Sequence, residues 1–260
     1  MTKSYYYVVK VQYLGFRYHG WQKQPDLKTV HLMIDKTLNF IFDGKQKFKT
    51  LGSGRTDAMV SANDAAFELF LNEPLQDSQV FIDRFNYYLP QDIKAISIME
   101  VDDKFNIIQN PKLKEYMYLF AHGQKSHPFC ASLMTTFRDQ LDIQLMATGA
   151  RLFEGTHNFK NYCSNATDKG VYEREVIGCE LIENTMFQAN FFPSQSYILK
   201  VIGKGFLYNQ IRLMMGTLVK LGRGDINLNY IERSLISGNN EVIDYIAPAS
   251  GLILNKTDFN

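Results

Sequence analysis

The sequence predicts an α+β fold made of two ferredoxin-like halves, each a split β-α-β unit of the RRM-like kind. The first observation is the order of apolar patterns over residues 1–103, where strand-like alternation and helix-like spacing follow one another as β-α-β-β-α-β. The second is that the same order of strand and helix patterns recurs, less regularly, over residues 104–260. No low-complexity linker separates the two stretches. We therefore expect the halves to join their sheets, antiparallel or mixed, and to leave a central cleft.

The first half contains four predicted strands and two predicted helices. The strands are rich in aromatic and β-branched residues: 5–14, 45–51, 65–71 and 93–101. Thr29 can cap a helix whose apolar residues recur at the spacing of one buried face: Val30, Met33, Ile34, Leu38 and Ile41. Asp77 or Ser78 begins the second helix, which Pro90 ends. This second helix is expected to bury four apolar residues: Val80, Phe81, Phe85 and Leu89.

The second half repeats the order with longer connections. Its predicted strands are 115–122, 172–183, 197–204 and 252–258. A helix begins at Asp139 or Asp142 and continues to about Phe153, and further helices are predicted over 209–221 and 228–237. The sequence thus divides near Asp103 into residues 1–103 and 104–260.

Composition excludes several protein classes. In 260 residues, 45% are hydrophobic and 21% charged, as in an ordinary globular protein. No apolar run approaches the roughly 18 residues needed to cross a bilayer, and the first residues lack the apolar core of a signal peptide. Three widely spaced cysteines argue against a disulfide framework, and neither cysteines nor histidines show the spacing of a metal site. We expect a cytoplasmic protein without a bound metal.

The net charge of +1 conceals a strong asymmetry. Residues 1–56 carry ten Lys or Arg against three Asp, whereas residues 57–103 carry two basic against ten acidic residues. A basic segment of this kind is either a solvated surface or a face that binds phosphates.

The loop between the second and third predicted strands contains Gly54-Arg55-Thr56-Asp57-Ala58. Glycine allows a tight turn, Thr56 can bond to local backbone, and Asp57 is then presented to a ligand. By residue type alone the loop could equally be a connection with a surface ion pair. Its sequence, however, resembles the Gly-Arg-Thr-Asp-Ala signature of the bacterial tRNA pseudouridine synthase A family, whose aspartate is catalytic.

Five further segments resemble the same family and occur in the family's order. They are Gly20-Trp21-Gln22-Lys23-Gln24, Asn86 with Leu89-Pro90-x-Asp92-Ile93, Lys114-x-Tyr116-x-Tyr118, Phe206-Leu207-Tyr208-Asn209-Gln210-Ile211-Arg212-x-Met214-Met215-Gly216, and Ala247-Pro248-Ala249-x-Gly251-Leu252-x-Leu254. Each segment alone is weak evidence for the family. The five segments together with the Asp57 loop are specific evidence for it. The family's first tyrosine meets the target base and its late arginine pairs with the catalytic aspartate. Trp21 we expect to be a structural plug behind the loop.

The resemblance implies an isomerase that converts uridine to pseudouridine in the anticodon stem-loop of tRNA. Asp57, Arg212 and Tyr116 would be catalytic, and Arg55, Thr56, Tyr116 and Leu252 would bind the substrate. The reaction needs no cofactor and no metal. Family members are homodimers whose RNA spans both subunits, so a homodimer is expected here. A paired uridine must leave its stack to be reached, which requires basic surface and an aromatic ring.

The residues also permit other interpretations. Arg212 could extend to solvent instead of pairing with an anion, and Tyr116 and Tyr118 could both be core aromatics. A non-catalytic RNA-binding protein would share the fold, and a glycoside hydrolase would need a second carboxylate that the Asp57 loop lacks before Asp64.

Three segments depart from the family pattern. Where the family has Gly-Val-His-Ala, this chain has Met59-Val60-Ser61-Ala62. Where the family has Phe-His-Ala-Arg, this chain has Phe105-Asn106-Ile107-Ile108, and where the family has Thr-Val-Gln, it has Thr29-Val30-His31. None of the three includes Asp57, Tyr116 or Arg212. Because RNA contacts are expected near these segments, they predict a narrower or shifted choice of uridines.

Overall fold

The computed structural model describes residues 4–239 and 241–259 and confirms an α+β fold. The chain forms two compact units. One unit comprises the residues up to Lys112 together with the strand from Leu254 onward, and the other comprises Leu113–Ile253. The division into ferredoxin-like halves near Asp103, and the cleft between them, stay predictions.

The first unit has a mainly antiparallel sheet. Its strands are β1 (Tyr5–Tyr13), β2 (Phe48–Gly52), β3 (Ser61–Leu71), β4 (Ile93–Val101) and β10 (Leu252–Phe259). They lie in the order β4-β1-β3-β10, with β2 also paired to β3. The register brings Val9 opposite Phe67 on β3 and opposite Ile98 on β4. The strand β3, which lies between β1 and β10, begins directly after the Asp57 loop.

Two helices, α1 (Val30–Phe42) and α2 (Ser78–Tyr88), belong to this unit, and both predicted caps are confirmed. The Thr29 hydroxyl accepts from the Leu32 N–H at 3.3 Å, and the Asp77 carboxylate accepts from two backbone N–H groups of the first turn of α2. The prediction that Val80 is buried is wrong, because its side chain is 62% exposed. Ile82 is buried instead, since the face of α2 that packs inward is set by Phe81 and Phe85, one helical turn apart.

The second unit has a sheet in the order β5-β9-β8-β7. Its strands are β5 (Pro111–His122), β6 (Thr135–Phe137), β7 (Gly155–Asn158), β8 (Glu173–Glu183) and β9 (Tyr197–Gly203). Neighbours are antiparallel, except that β6 lies parallel to β5. The short strands β6 and β7 were not predicted from the sequence.

Three helices, α3 (Ile143–Arg151), α4 (Gln210–Arg223) and α5 (Leu228–Ser234), complete this unit. Asp142, the second of the two predicted starts, caps α3 by accepting from the Leu145 N–H at 2.9 Å. Most of α4 is buried, and it ends at Gly224 in the left-handed conformation that glycine favours. The deep burial of α4 fixes its first turn, where Arg212 lies.

Candidate active site

The loop that carries Asp57 is held by backbone hydrogen bonds to a second loop of the same unit. The Trp21 N–H donates to the Thr56 carbonyl at 3.1 Å, and the Met59 N–H donates to the Tyr18 carbonyl at 3.0 Å. A turn closes between the Val60 N–H and the Asp57 carbonyl at 3.2 Å. Asp57 itself is half-buried. Its backbone is thus fixed on both sides, as a group that must be aimed at a substrate requires.

Two residues of the Gly20–Gln24 segment support this loop. Gly20 has φ +83°, and a Cβ there would lie 2.5 Å from the Thr56 carbonyl oxygen, so both the conformation and the close approach require glycine. Trp21 is only 4% exposed and packs so closely on Gly52 that a Cβ at Gly52 would meet its Nε1 at 2.2 Å. The prediction of Trp21 as a plug behind the loop agrees with this packing.

Thr56 and Arg55 precede Asp57 in the same loop. The Thr56 hydroxyl is 2.9 Å from the Tyr13 hydroxyl on β1, so Thr56 braces the loop against the sheet. Arg55 is exposed. Its guanidinium therefore lies where it can reach a phosphate or another anionic group of a ligand.

Asp92 contributes to the loop through Tyr18, a role that residue type alone does not reveal. The Tyr18 hydroxyl donates to Asp92 at 2.6 Å, and Arg17 donates to the same carboxylate. Burial works against ionisation of Asp92, but these two donors outweigh it and lower the pKa of Asp92. Tyr18 is thereby anchored where its carbonyl accepts from Met59. The only signal in the sequence was the position of Asp92 in a family-like segment.

Arg212 lies in the first turn of α4 in the second unit and is half-buried. Its Nε donates to the Ala247 carbonyl at 2.8 Å, and its Nη1 donates to Asn209 Oδ1 at 3.1 Å. Asn209 adopts a left-handed conformation with φ +60°, which asparagine tolerates better than most residues. These contacts hold the guanidinium in one orientation and argue against an arginine that simply extends into solvent.

The two tyrosines of β5 have different environments. Tyr118 is fully buried, and its hydroxyl contacts Thr135 Oγ1 at 2.9 Å and the Pro248 carbonyl at 2.7 Å. Burial raises its pKa, so Tyr118 is a neutral core residue. Tyr116 is only half-buried, and its ring meets Phe206 edge to face with centroids 5.4 Å apart. Of the pair, Tyr116 is the one whose ring is accessible for stacking.

Leu252 is the last of the predicted site residues. It is 6% exposed and begins β10, directly after a short turn over Ala249–Gly251. That turn packs on β5, because a Cβ at Gly251 would lie 2.7 Å from the Leu119 carbonyl oxygen. Within the second unit, the segment from Ala247 to Leu252 therefore contacts both the arginine of α4 and the tyrosine strand. The pairing of Asp57 with Arg212, and a pocket shared with Tyr116 and Leu252, stay predictions.

His31, one of the departures from the family pattern, has a structural environment behind the loop. Its ring stacks on Trp21 with centroids 5.6 Å apart, and its Nε2 is 2.7 Å from the Thr50 hydroxyl. Burial lowers the pKa of His31, against the opposing effect of the nearby Asp35 carboxylate. His31 is thus a buried, preferentially neutral ring that supports Trp21.

Neither a metal site nor a membrane-spanning helix is found in the described residues. Over 4–239 and 241–259, no three His, Cys, Asp or Glu side chains come together in a way that could hold a metal ion. No helix over the same ranges is long and apolar enough to cross a membrane.

Comparison with known proteins adds independent evidence. The family model described as tRNA pseudouridine synthase matches residues 150–260. A protein of Exiguobacterium sibiricum named tRNA pseudouridine synthase A is 31% identical over 244 residues, which cover 94% of this chain and 92% of that protein. The chain belongs to the tRNA pseudouridine synthase A family. Another relative, tRNA pseudouridine synthase A 2 of Bacillus cereus, is 29% identical over 254 residues, 97% of this chain and 99% of the relative.

The two units together carry all the segments that resemble the pseudouridine synthase A family. The family model covers α4, with Arg212, and Leu252. The relatives extend the similarity over nearly the whole chain. The fold and the membership of an isomerase family are therefore established, whereas the roles of single residues remain to be argued from their geometry.

Proposed function

We propose that this protein isomerises uridine to pseudouridine in tRNA, with the Asp57 carboxylate as its catalytic group. The observation that carries the proposal is the Asp57 loop itself. Three backbone hydrogen bonds and the packing of Trp21 fix it, in a chain that belongs to the pseudouridine synthase A family. A fixed carboxylate costs no reorganisation when the substrate arrives.

The reaction breaks the N1–C1′ glycosidic bond, turns the uracil and forms a C5–C1′ bond. N1 gains a proton and C5 loses one, so nothing is oxidised or added and no cofactor is required. Asp57 acts at the sugar or the base during bond cleavage. Arg212 supplies the counter-charge that keeps such a carboxylate ionised.

Substrate binding requires the uridine to leave its stack. Tyr116 offers a half-buried ring, fixed edge to face by Phe206, for the extruded base. Leu252, which follows the turn that packs on β5, is the proposed apolar contact of the base. Arg55 is exposed and lies two residues before Asp57 in the sequence. It binds an adjacent phosphate or fills the space that the extruded uridine leaves. Thr56 fixes the loop through Tyr13.

The target is the 3′ side of the tRNA anticodon stem-loop, with a narrower or shifted set of uridines compared with what is usual in the family. Ile108 stands where the family has arginine and is 61% exposed, so one basic contact is missing. Asn106 is engaged locally, because its Oδ1 accepts from the Ile108 and Gln109 N–H groups. Ser61 is also occupied, since its hydroxyl accepts from the Gly15 N–H at 2.9 Å. Ile108→Arg should add about one counterion to the salt dependence of tRNA binding.

We further propose that the protein acts as a cytoplasmic homodimer, as expected for an enzyme of this family that meets tRNA. Sedimentation of the purified protein across a concentration series tests the dimer. A monomer at micromolar concentration that is fully active would exclude it. Fractionation of cells that express the protein tests the location.

The test of the activity uses Asp57→Asn, which keeps the shape and removes the charge. Tritium release from tRNA labelled at uridine C5 should occur with the wild type and cease with the variant, while the thermal melt and tRNA affinity stay nearly unchanged. Asp103→Asn, at an exposed carboxylate of the same unit, is the matched control and should retain full activity. Release by Asp57→Asn at the wild-type rate would remove Asp57 from the chemistry. Binding of tRNA without any release by the wild type would favour a non-catalytic RNA-binding protein.

A further inference from the structure

Trp21, the only tryptophan of the chain, connects His31 to the Asp57 loop by direct contacts. Its indole stacks on the His31 ring with an angle of 29° between the two planes. The Nε1 edge of the same indole packs on Gly52, where an added Cβ would lie only 2.2 Å away. Its backbone N–H donates to the Thr56 carbonyl. A movement of Trp21 is therefore passed to the residue directly before Asp57.

A short chain of hydrogen bonds fixes which nitrogen of His31 carries the proton of the neutral ring. The Thr50 hydroxyl donates to Asp35 Oδ1 at 2.6 Å, because an ionised carboxylate can only accept. The same hydroxyl oxygen lies 2.7 Å from His31 Nε2 and accepts from it, since its own proton is directed at Asp35. The neutral ring is thus the Nε2–H tautomer, and an added proton goes to Nδ1.

Two charged side chains face the His31 ring in the part of the chain that the structure describes. Asp35, one turn further along α1, has its Oδ1 3.7 Å from His31 Nε2, and Lys23 contacts the other carboxylate oxygen at 2.5 Å. The strand β2 contributes the uncharged Thr50. Burial lowers the pKa of His31, Asp35 opposes that effect, and Lys23 adds to it. A charged ring is drawn toward Asp35 and repelled by Lys23, so protonation changes the forces that hold the ring against Trp21.

We propose that His31 is a positioning residue of the enzyme: its neutral ring holds Trp21 in place behind the Asp57 loop, and its protonation releases Trp21 and lowers kcat. The proposal rests on the proposed function, because it takes Asp57 to be the catalytic carboxylate. The family pattern has glutamine at position 31, and glutamine does not titrate. The pH dependence is therefore a property of this chain and is not expected of relatives with glutamine there.

The test follows two quantities on the full chain from pH 5 to pH 8, the range in which histidine changes its charge. The first is the fluorescence of Trp21, which a protonated imidazole in contact with the indole quenches more strongly than a neutral one. The second is kcat, measured by tritium release at saturating tRNA. His31→Gln keeps an N–H donor for Thr50 but cannot titrate. His19→Gln removes an exposed histidine two residues before Trp21 and is the matched control. Circular dichroism at each pH verifies that the proteins are folded.

In the wild type and in His19→Gln, the emission and kcat should fall together toward low pH. Both should share one midpoint below about 6.5, the pKa of a free histidine. The fall in kcat should be about tenfold, because a misplacement of about 1 Å can cost a hundredfold and smaller shifts cost less. The KM for tRNA should stay nearly constant, since His31 is buried behind the loop. His31→Gln should show neither fall.

Lys23→Gln provides a second test that leaves His31 in place. The substitution removes the repelling charge and frees the Asp35 carboxylate, so protonation of His31 becomes easier. The midpoints of emission and of kcat should therefore both move to higher pH. A shift of the emission midpoint without a shift of the kcat midpoint would show that Trp21 does not transmit the change to the loop.

Two other results would overturn the positioning role while leaving the proposed function intact. One is a fall of kcat at low pH that persists in His31→Gln. The other is a wild-type kcat that stays constant while the emission of Trp21 changes. If the wild type forms no pseudouridine at any pH, the proposed function fails and the positioning role fails with it. The emission titration would still show, independently of activity, whether protonation of His31 moves Trp21.

Discussion

Met59→Gly should stabilise the protein, although it removes a side chain from the Asp57 loop. Met59 has φ +68°, a left-handed conformation that glycine adopts without a steric penalty. The conformation is imposed by the turn, because the N–H of Met59 donates to the Tyr18 carbonyl and that of Val60 donates to the Asp57 carbonyl. The family pattern has glycine at this position.

The magnitude follows from two opposing contributions. Left-handed backbone costs an L-residue about 1–2 kcal/mol, which glycine avoids. Glycine in turn increases the conformational freedom of the unfolded chain and costs about 0.4–1 kcal/mol. Met59 is 36% exposed, so less packing is lost than at a methionine of the core. The net gain is about 0.5–1 kcal/mol, which raises the Tm of a chain of this size by about 1–4 °C.

Two control variants make the reasoning refutable by calorimetry and urea unfolding. Met59→Ala keeps a Cβ and therefore the strain, so it should not raise the Tm. Ala58→Gly changes the preceding residue, which is not among those with positive φ, and should destabilise by about 0.4–1 kcal/mol. A Tm for Met59→Gly at or below that of the wild type would refute the strain argument. Equal effects of Gly and Ala at position 59 would do the same.

Three further predictions concern the site and its support. Tyr116→Phe should bind tRNA as the wild type does, whereas Tyr116→Ala should lose about 1–3 kcal/mol of affinity, and equal affinities in a filter-binding assay would exclude stacking. Arg212→Met should abolish activity. It should also lower the free energy of unfolding by about 1.5–3 kcal/mol, because Ala247 and Asn209 lose a charged donor. An unchanged midpoint of urea unfolding would show that these hydrogen bonds contribute nothing to stability. Because the folded pKa of His31 is lowered, its contribution to stability is complete above the unfolded pKa of about 6.5 and is lost as pH falls below it. His31→Gln should therefore lose less stability than the wild type between pH 7.5 and 5.5, and parallel losses in urea unfolding would contradict this.

Regular elements with strong local signals could be predicted from the sequence. Thr29, and one of Asp77 and Ser78, are predictable as caps because a side-chain oxygen directly before a stretch of helical apolar spacing is typical of a helix N-terminus. The prediction for Val80 is wrong because both Val80 and Ile82, two residues later, have a spacing that fits a buried helix face. The choice between those two faces depends on what α2 packs against, which a pattern within one helix does not contain.

Elements and contacts that depend on distant partners could not be predicted. The strand β6 has three residues, and its existence depends on pairing in parallel with β5. The anchoring of Tyr18 by Asp92 joins residues 74 positions apart, and the brace between Tyr13 and Thr56 joins residues 43 apart. Such pairs leave no periodicity in the sequence, because each partner looks like an ordinary polar residue of its own element.

The family-like segments contain both buried supporting residues and more accessible residues. Asn86 bonds both backbone groups of Ala95 through its side chain, and Tyr118 donates its hydroxyl within a fully buried environment. Each is accounted for by folding alone and needs no role in chemistry. Asp57 and Arg55 differ in accessibility, because Asp57 is only half-buried on a fixed loop and Arg55 is exposed. We therefore expect the functional roles in these segments to belong to residues that the fold immobilises without burying.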